Sequence, residues 1–438
     1  MSACNLYGVI GNPIVHSKSP FIYNSLFKAA GSDAHCMRIH LDKCSEVKEL
    51  FQELPLFGIN VTSPFKEEIM KYLDSIDTHA RSIQAVNTVV KKNKKLYGYN
   101  TDFLGVLHSF KQNRIKIKNK HCIVLGAGGA ARSTVYALLS LGAKVTLINR
   151  TLKKAKKIAD SFGCSFREIR NLKNELQNAD ILINTIIRDI DIVEEKWIEK
   201  KHIIIDANYG DSLLLKKAKK RGAYTIDGEA WLINQALESY TLFTGEKADY
   251  TIAKKALHSV RKNNMESISL IGFMGVGKTT VGRRLAHMGK VRFFDSDEYI
   301  EKREKERIKD IFEYKGEPYF RRLEKKVIKK SNFKSKTVFS FGGGIILDRQ
   351  NRALLKKTTG IWLYFPMKNI YERIKNKLRP LLINKNWKVR AQRIFERRIM
   401  WYAESSQFLI CTRNKTPHAI ARALYDEIKK TKRNFWNN

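Results

Sequence analysis

Short apolar runs recur along the chain, separated by longer stretches in which apolar residues return every three or four positions. The runs at Tyr7–Ile10, Gly58–Val61, His121–Leu125, Lys144–Ile148, Ile181–Asn184 and His202–Asp206 predict strands, and the stretches between them predict amphipathic helices. Strands alternating with helices imply parallel α/β sheets. Near Met265 the pattern is interrupted: a basic helical stretch from Thr251 to Asn264 ends and a new strand begins. The alternation then resumes at Ile268–Ile271, Arg292–Phe294, Thr337–Phe341 and Ile361–Tyr364. The junction is neither Gly/Ser-rich nor proline-rich, so it reads as the extension of a helix rather than a loose tether. A cut there is expected to leave two separately folding halves.

A length of 438 residues suits about three domains. Lysine and arginine number 82 against 43 aspartates and glutamates, a net charge of +39, of which +15 lies before Met265 and +24 from there on. Such a field favours anionic partners: nucleic acid, acidic lipid, or phosphorylated and carboxylated small molecules. Tracts such as Lys91-Lys92-Asn93-Lys94-Lys95, read as irregular surface, fit codon bias in an AT-rich genome equally well. No run of about eighteen apolar residues and no apolar leader is visible, which argues against membrane and secreted classes. Six scattered cysteines without C-x-x-C spacing read as free thiols in a reducing cytoplasm.

Two glycine-rich turns carry phosphate chemistry. Gly126-Ala127-Gly128-Gly129-Ala130-Ala131-Arg132 follows the strand at Cys122–Leu125 and opens a helical run to Leu141. Small residues there permit a tight turn and close approach to a pyrophosphate, which the helix N-terminus attracts. The next strand ends in Asn149-Arg150-Thr151, without the carboxylate an NAD site needs; Arg150 flanked by polar groups suits the 2′-phosphate of NADP(H). The second turn, Gly272-Phe273-Met274-Gly275-Val276-Gly277-Lys278-Thr279-Thr280, is an unbroken P-loop between strand and helix. Its amides would wrap phosphates of ATP, Lys278 would reach the β- and γ-phosphates, and the Thr279 hydroxyl would ligate Mg2+.

Four further segments accompany the first turn: Gly11-Asn12-Pro13-Ile14-Val15-His16-Ser17-Lys18-Ser19-Pro20, Asn60-Val61-Thr62-Ser63-Pro64-Phe65-Lys66-Glu67, Ala85-Val86-Asn87-Thr88 and Gly98-Tyr99-Asn100-Thr101-Asp102. Together they resemble shikimate dehydrogenase over about residues 5–258. The resemblance implies NADPH-dependent reduction of 3-dehydroshikimate, with Lys66 and Asp102 as the catalytic pair. Hydride arriving at the carbonyl carbon leaves an alkoxide, which a nearby ammonium can protonate. Lys66 follows Pro64 at a predicted helix start, where the dipole would ease proton donation. Ser17, Ser19, Thr62, Asn87, Tyr209 and Gln235 match positions that hold the substrate. One departure is Asn184-Thr185-Ile186-Ile187-Arg188, where the family carries Asn-Ala-Thr and small residues.

Beyond the P-loop stand Asp295-Ser296-Asp297, Gly316 to Glu324 with Arg321, Gly342-Gly343-Gly344, Arg379-Pro380-Leu381-Leu382 and Arg398 to Glu404. These resemble shikimate kinase over about residues 266–430, which implies transfer of the γ-phosphoryl of ATP to the 3-hydroxyl of shikimate. Asp295 would hold hydrated magnesium and Asp297 would deprotonate the substrate hydroxyl. Arg321 and Arg398 would clamp the carboxylate, Glu324 would fix Arg321, and Arg379 would reach the phosphates from a mobile lid. Phe341 and Met400 depart from the pattern, the second replacing a proline and expected to loosen a turn that positions Arg398.

The expected fold is α/β: a substrate domain at 1–101 plus 228–258, a Rossmann-like NADP domain at 102–227, a linker at 259–265, and a P-loop kinase domain with a parallel sheet at 266–438. Expected partners are the small-molecule substrates rather than nucleic acid or membrane, with the chain a cytoplasmic monomer or homodimer.

Overall fold

The computed structural model describes residues 5–186, 191–210, 212–259, 266–375, 380–382, 386–431 and 435–436. Seventeen strands occur among them, numbered here in chain order. They are β1 (Leu6–Gly11), β2 (His35–His40), β3 (Leu56–Val61), β4 (Ser75–Ile76), β5 (Thr88–Lys92), β6 (Lys95–Tyr99), β7 (His121–Leu125), β8 (Lys144–Asn149) and β9 (Ser165–Glu168). The rest are β10 (Ile181–Asn184), β11 (Ile203–Asp206), β12 (Tyr224–Ile226), β13 (Ser267–Ile271), β14 (Arg292–Asp295), β15 (Thr337–Ser340), β16 (Thr359–Tyr364) and β17 (Phe408–Cys411). The chain forms two compact units, residues 60–257 and residues 1–59 with 258–438. This grouping is drawn differently from the sequence-based division, and most of the expected linker, residues 260–265, lies outside the described residues.

In the unit of residues 60–257, a six-stranded parallel sheet has the order β12-β11-β10-β7-β8-β9, the doubly-wound arrangement of a dinucleotide fold. Its central strands β7, β10 and β11 are nearly continuous apolar runs because both faces are covered. On β7, Cys122 and Val124 belong to one core and Ile123 and Leu125 to the other, each buried aliphatic contributing about 1.5–3 kcal/mol. Helices Asp102–Gln112 and Glu229–Thr244 pack closely because residue 105 is glycine: a Cβ there would lie 2.6 Å from Trp231 Cδ1. The lysine tract 91–95 is not irregular. It closes the antiparallel hairpin β5–β6 through Asn93 and Lys94, both at positive φ, as the twist of a two-residue hairpin turn requires.

In the other unit the sheet runs β14-β15-β13-β16-β17-β2-β1-β3. Its first five strands form the P-loop module, its last three come from the beginning of the chain. The join is a parallel pairing of β17 with β2, registering Phe408 with Arg38, Leu409 with Ile39 and Ile410 with His40. All three β17 residues are fully buried. The two halves therefore share a sheet, contrary to the expectation of separable halves: severing them would expose two strand edges and their unpaired backbone groups. The P-loop module is centred on Trp362, which stacks on Tyr402 at 5.5 Å and meets Tyr364 at 5.9 Å. No helix among the described residues is long and apolar enough to cross a membrane.

Candidate active sites

In residues 60–257, β7 leads into the first glycine turn. Gly126 has φ +110°, and a Cβ there would lie 2.6 Å from the Thr185 hydroxyl oxygen. The helix Gly129–Ser140 has Gly128 as its N-cap with no side chain satisfying its first amides, and a Cβ at Gly128 would meet only open space. A helix start without a side-chain cap, beside a glycine with room around it, fits a pyrophosphate. Ala127 and Ala130 complete the turn. At the end of β8, Asn149 Nδ2 donates to the Thr151 carbonyl at 3.0 Å and Arg150 is exposed, so the donor set is cationic and polar, as a 2′-phosphate requires.

Lys66 lies across the start of that helix: a Cβ at Gly129 would be 2.9 Å from Lys66 Cδ. Its Nζ donates to Asp102 Oδ2 at 2.6 Å, with both side chains largely buried. Asp102 is the first residue of its helix, where the dipole favours a carboxylate. The expected helix start at Lys66 is absent. A five-residue 3₁₀ turn, Glu68–Tyr72, begins two residues later, so too little aligned backbone stands behind the amine to act on it, and Asp102 is its electrostatic partner instead.

A buried network adjoins in the same unit. Asn87 Nδ2 donates to Thr101 Oγ1 at 2.9 Å and to Gln235 Oε1 at 3.2 Å, and Asn87 Oδ1 accepts from the Thr101 amide at 2.7 Å. Ser239 Oγ, 2.8 Å from Thr88 Oγ1 and 2.9 Å from Thr101 Oγ1, also accepts from Asn60 Nδ2 at 3.0 Å. Asn60, Thr101 and Ser239 went unassigned from sequence; the first two stand inside motifs, whereas Ser239 sits mid-helix with no local signal. Thr62 lies just past β3, its carbonyl accepting from the Phe65 amide at 3.0 Å. Tyr209 lies just past β11. The altered loop is tied down at its start: Thr185 Oγ1 donates to the Leu125 carbonyl at 2.6 Å, and Asn184 Nδ2 to Asp206 Oδ1 at 3.0 Å. Ile187 and Arg188 lie outside the described residues.

Ser17 and Ser19 belong to the other unit, where both are buried at the start of helix Ser19–Ala29. The same unit holds the second site, a cavity of about 860 Å³ lined by the P-loop, Asp295, Asp297, Arg321, the glycine triplet and Arg398. Gly275 and Gly277 take φ of +81° and +95°, which turns the loop around its own centre. Val276 is buried beneath it, and Lys278 Nζ donates to the Gly272 carbonyl at 2.9 Å. Thr279, with Thr280 beside it at the cavity wall, donates from Oγ1 to Asp295 Oδ2 at 2.7 Å. One hydroxyl and one carboxylate suit magnesium, which keeps most of its waters and relies on phosphate oxygens. Asp295 Oδ1 also accepts from the Asp297 amide at 2.9 Å, capping the helix Ser296–Glu304.

Glu324 is fully buried and accepts from Arg321 Nη1, while Arg321 Nη2 also donates to Glu317 at 2.8 Å. Burial pushes the Glu324 carboxyl up to about 7; Arg321 pulls it back and Asp297 adds to the rise. A Cβ at 342 would lie 2.7 Å from both Asp297 Oδ1 and Glu324 Oε1, and one at 344 would strike the Arg321 guanidinium, so a side chain at either position would displace these groups. Gly343 offers its carbonyl to Tyr402 OH at 2.6 Å and Arg398 Nη1 at 3.3 Å. Arg398 sits inside the continuous helix Trp387–Glu404. The expected loosened turn is thus absent, because methionine at 400 propagates the helix where proline would have broken it. Phe341 is fully buried and stacks on Phe339 at 5.6 Å. Arg379 lies outside the described residues.

Three stretches of the chain match known families. Residues 9–89 match the family model of the shikimate dehydrogenase substrate binding domain, 109–208 that of shikimate / quinate 5-dehydrogenase, and 274–429 that of shikimate kinase. The NADP(+) shikimate dehydrogenase of Aquifex aeolicus is 40% identical over 264 residues, spanning 58% of this chain and 97% of that protein. A crystal structure of shikimate dehydrogenase from Aquifex aeolicus is similar with a TM-score of 0.56 at 38% identity, covering 59% of this chain and 99% of that one. The Thermus thermophilus enzyme, solved with NADP(H) and shikimate, is similar with a TM-score of 0.53 at 27% identity, over 58% of this chain and 98% of that one.

Proposed function

Because the chain belongs to the shikimate dehydrogenase family and carries a shikimate kinase domain behind it, we propose that it catalyses two consecutive steps. It reduces 3-dehydroshikimate to shikimate with NADPH, then phosphorylates the 3-hydroxyl of shikimate with ATP. The observation that carries this reading is the Lys66–Asp102 pair at 2.6 Å, its lysine stem packed on the first residue of the dinucleotide helix.

NADPH bound at the first turn would supply the hydride. As the carbonyl π electrons move onto oxygen, Lys66 Nζ donates its proton there, and solvent later restores it. Asp102 pairs with the amine and aims it. Asn87 and Gln235, with Ser17, Ser19, Thr62 and Tyr209, hold the substrate hydroxyls and carboxylate, since each polar group left unpaired would cost affinity. Arg150, with Asn149 and Thr151, takes the 2′-phosphate.

For the second step, Asp297 accepts the proton of the 3-hydroxyl as its oxygen attacks the γ-phosphorus, and ADP leaves with the bridging electrons. Lys278 and the P-loop amides neutralise the phosphates, and Arg321 and Arg398 take the carboxylate of shikimate. Thr279 and Asp295 would hold hydrated Mg2+, which offsets charge between the phosphates. Two assays on the purified chain test the reading: NADP+ reduction by shikimate, and ADP release from ATP–magnesium that depends on shikimate. Both should be present; absence of either refutes the corresponding half.

A further inference from the structure

The loop that carries Ser17 and Ser19 is held from the far end of the chain. Glu427, on helix Pro417–Thr431 of the P-loop module, is buried, and its Oε1 accepts from the backbone amides of Ile14 at 2.5 Å and Val15 at 2.6 Å. Its Oε2 meets His40 Nδ1 at 2.9 Å, and His40 Nε2 meets Asp42 Oδ1 at 3.0 Å. Lys415 closes this chain on Asp42 Oδ2 at 2.7 Å. Burial alone would lower the pKa of His40, but its bonds to Asp42 and Glu427 outweigh that and raise it; burial likewise opposes ionisation of Glu427, yet His40 and the two amides hold its carboxyl down. A second tie acts two residues further on. The Arg38 guanidinium donates through Nε to the Ser17 carbonyl at 2.8 Å and through Nη1 to the Gln407 carbonyl, in the P-loop module, at 3.2 Å.

A buried carboxylate that accepts two successive backbone amides fixes the path of those residues, because each amide would otherwise be left desolvated without a partner. Shortly after Val15 the chain enters helix Ser19–Ala29, so displacement at 14–15 propagates directly to Ser17. We propose that Glu427, a residue of the kinase module, is a positioning residue for the dehydrogenase reaction: it sets the loop that presents Ser17 and Ser19 to shikimate. The proposal rests on the assignment of those serines to the substrate and adds that the second module completes the first.

The test uses the full chain and shikimate, which is a substrate at both sites, so the kinase serves as an internal control. Glu427→Ala should raise the dehydrogenase KM for shikimate about tenfold or more, only part of the loss at residues 14–15 reaching Ser17, with kcat and the KM for NADP+ close to wild type. Kinase KM for shikimate should not change. Glu427→Gln keeps an acceptor oxygen at the two amides and should recover most of the affinity. If both variants keep the wild-type dehydrogenase KM, the proposal is wrong. It is equally wrong if Glu427→Ala impairs NADP+ and kinase parameters to the same degree, since that reports general loss of structure. A wild-type chain that does not oxidise shikimate overturns the underlying reading, and this proposal with it.

Discussion

Glu324 is fully buried yet ionisable, and replacing it with glutamine separates its effect on stability from its effect on catalysis. Burial raises its pKa from 4.5 to about 7, the charge and hydrogen bond of Arg321 opposing that rise. Below 4.5 the carboxyl is protonated in the folded and unfolded chain alike. Between 4.5 and about 7 the unfolded chain releases the proton while the folded chain keeps it, so this group makes stability fall as pH rises. At about 1.4 kcal/mol per tenfold change in proton affinity, the full cost above that window is about 3 kcal/mol. Glu324→Gln removes the titration, so relative to its difference from wild type in acid the variant should gain about 3 kcal/mol by mildly alkaline pH. Urea unfolding of the full chain, followed through tryptophan fluorescence at several pH values, reads the difference. Catalysis should move the other way. Arg321 loses a charged partner, and the kinase KM for shikimate should rise several-fold while dehydrogenase turnover is unchanged. Stability curves that run parallel across the pH range would refute the argument.

Arg150→Ala should raise the KM for NADPH far more than that for NADH, because only the former carries the 2′-phosphate; equal effects would remove Arg150 from the cofactor site. Lys278→Ala should cut kinase turnover by about two orders of magnitude or more through loss of phosphate contact, with NADP+-linked shikimate oxidation intact.

The parts of the fold that were legible in the sequence are those whose signal is local. The runs at His121–Leu125 and Ile181–Asn184 are strands with those same bounds, because both faces are buried and nearly every residue must be apolar or small. Both glycine turns declare themselves through backbone geometry that few other residues tolerate. β2 and β17 were invisible, and so was their pairing. His35-Cys36-Met37-Arg38-Ile39-His40 looks too polar for a central strand, and its Arg38 and His40 are satisfied by Gln407 and Glu427, more than 360 residues away. Such compensation cannot be read from a local window. The hairpin β5–β6 was hidden by its lysines, which point to charge before they point to a turn. At Lys66 the motif gave the right neighbours, whereas the inferred helix dipole was the wrong electrostatic partner. Ser239 illustrates the same limit: a mid-helix serine acquires its role only when Asn60, Thr88 and Thr101 arrive around it.

That one chain performs two consecutive reactions with two separate sets of catalytic residues is the central claim, and a crossover of two substitutions tests it. Supplied with 3-dehydroshikimate, NADPH and ATP–magnesium, the wild-type chain should form shikimate 3-phosphate with one NADPH oxidised per product. Lys66→Ala should slow NADPH oxidation by about two orders of magnitude or more, as for a lost general acid, and added shikimate should restore phosphorylation in full. Asp297→Ala should oxidise NADPH normally and accumulate shikimate, while still binding ATP. A Lys66→Ala chain that shikimate cannot rescue, or an Asp297→Ala chain that phosphorylates shikimate normally, would contradict the account.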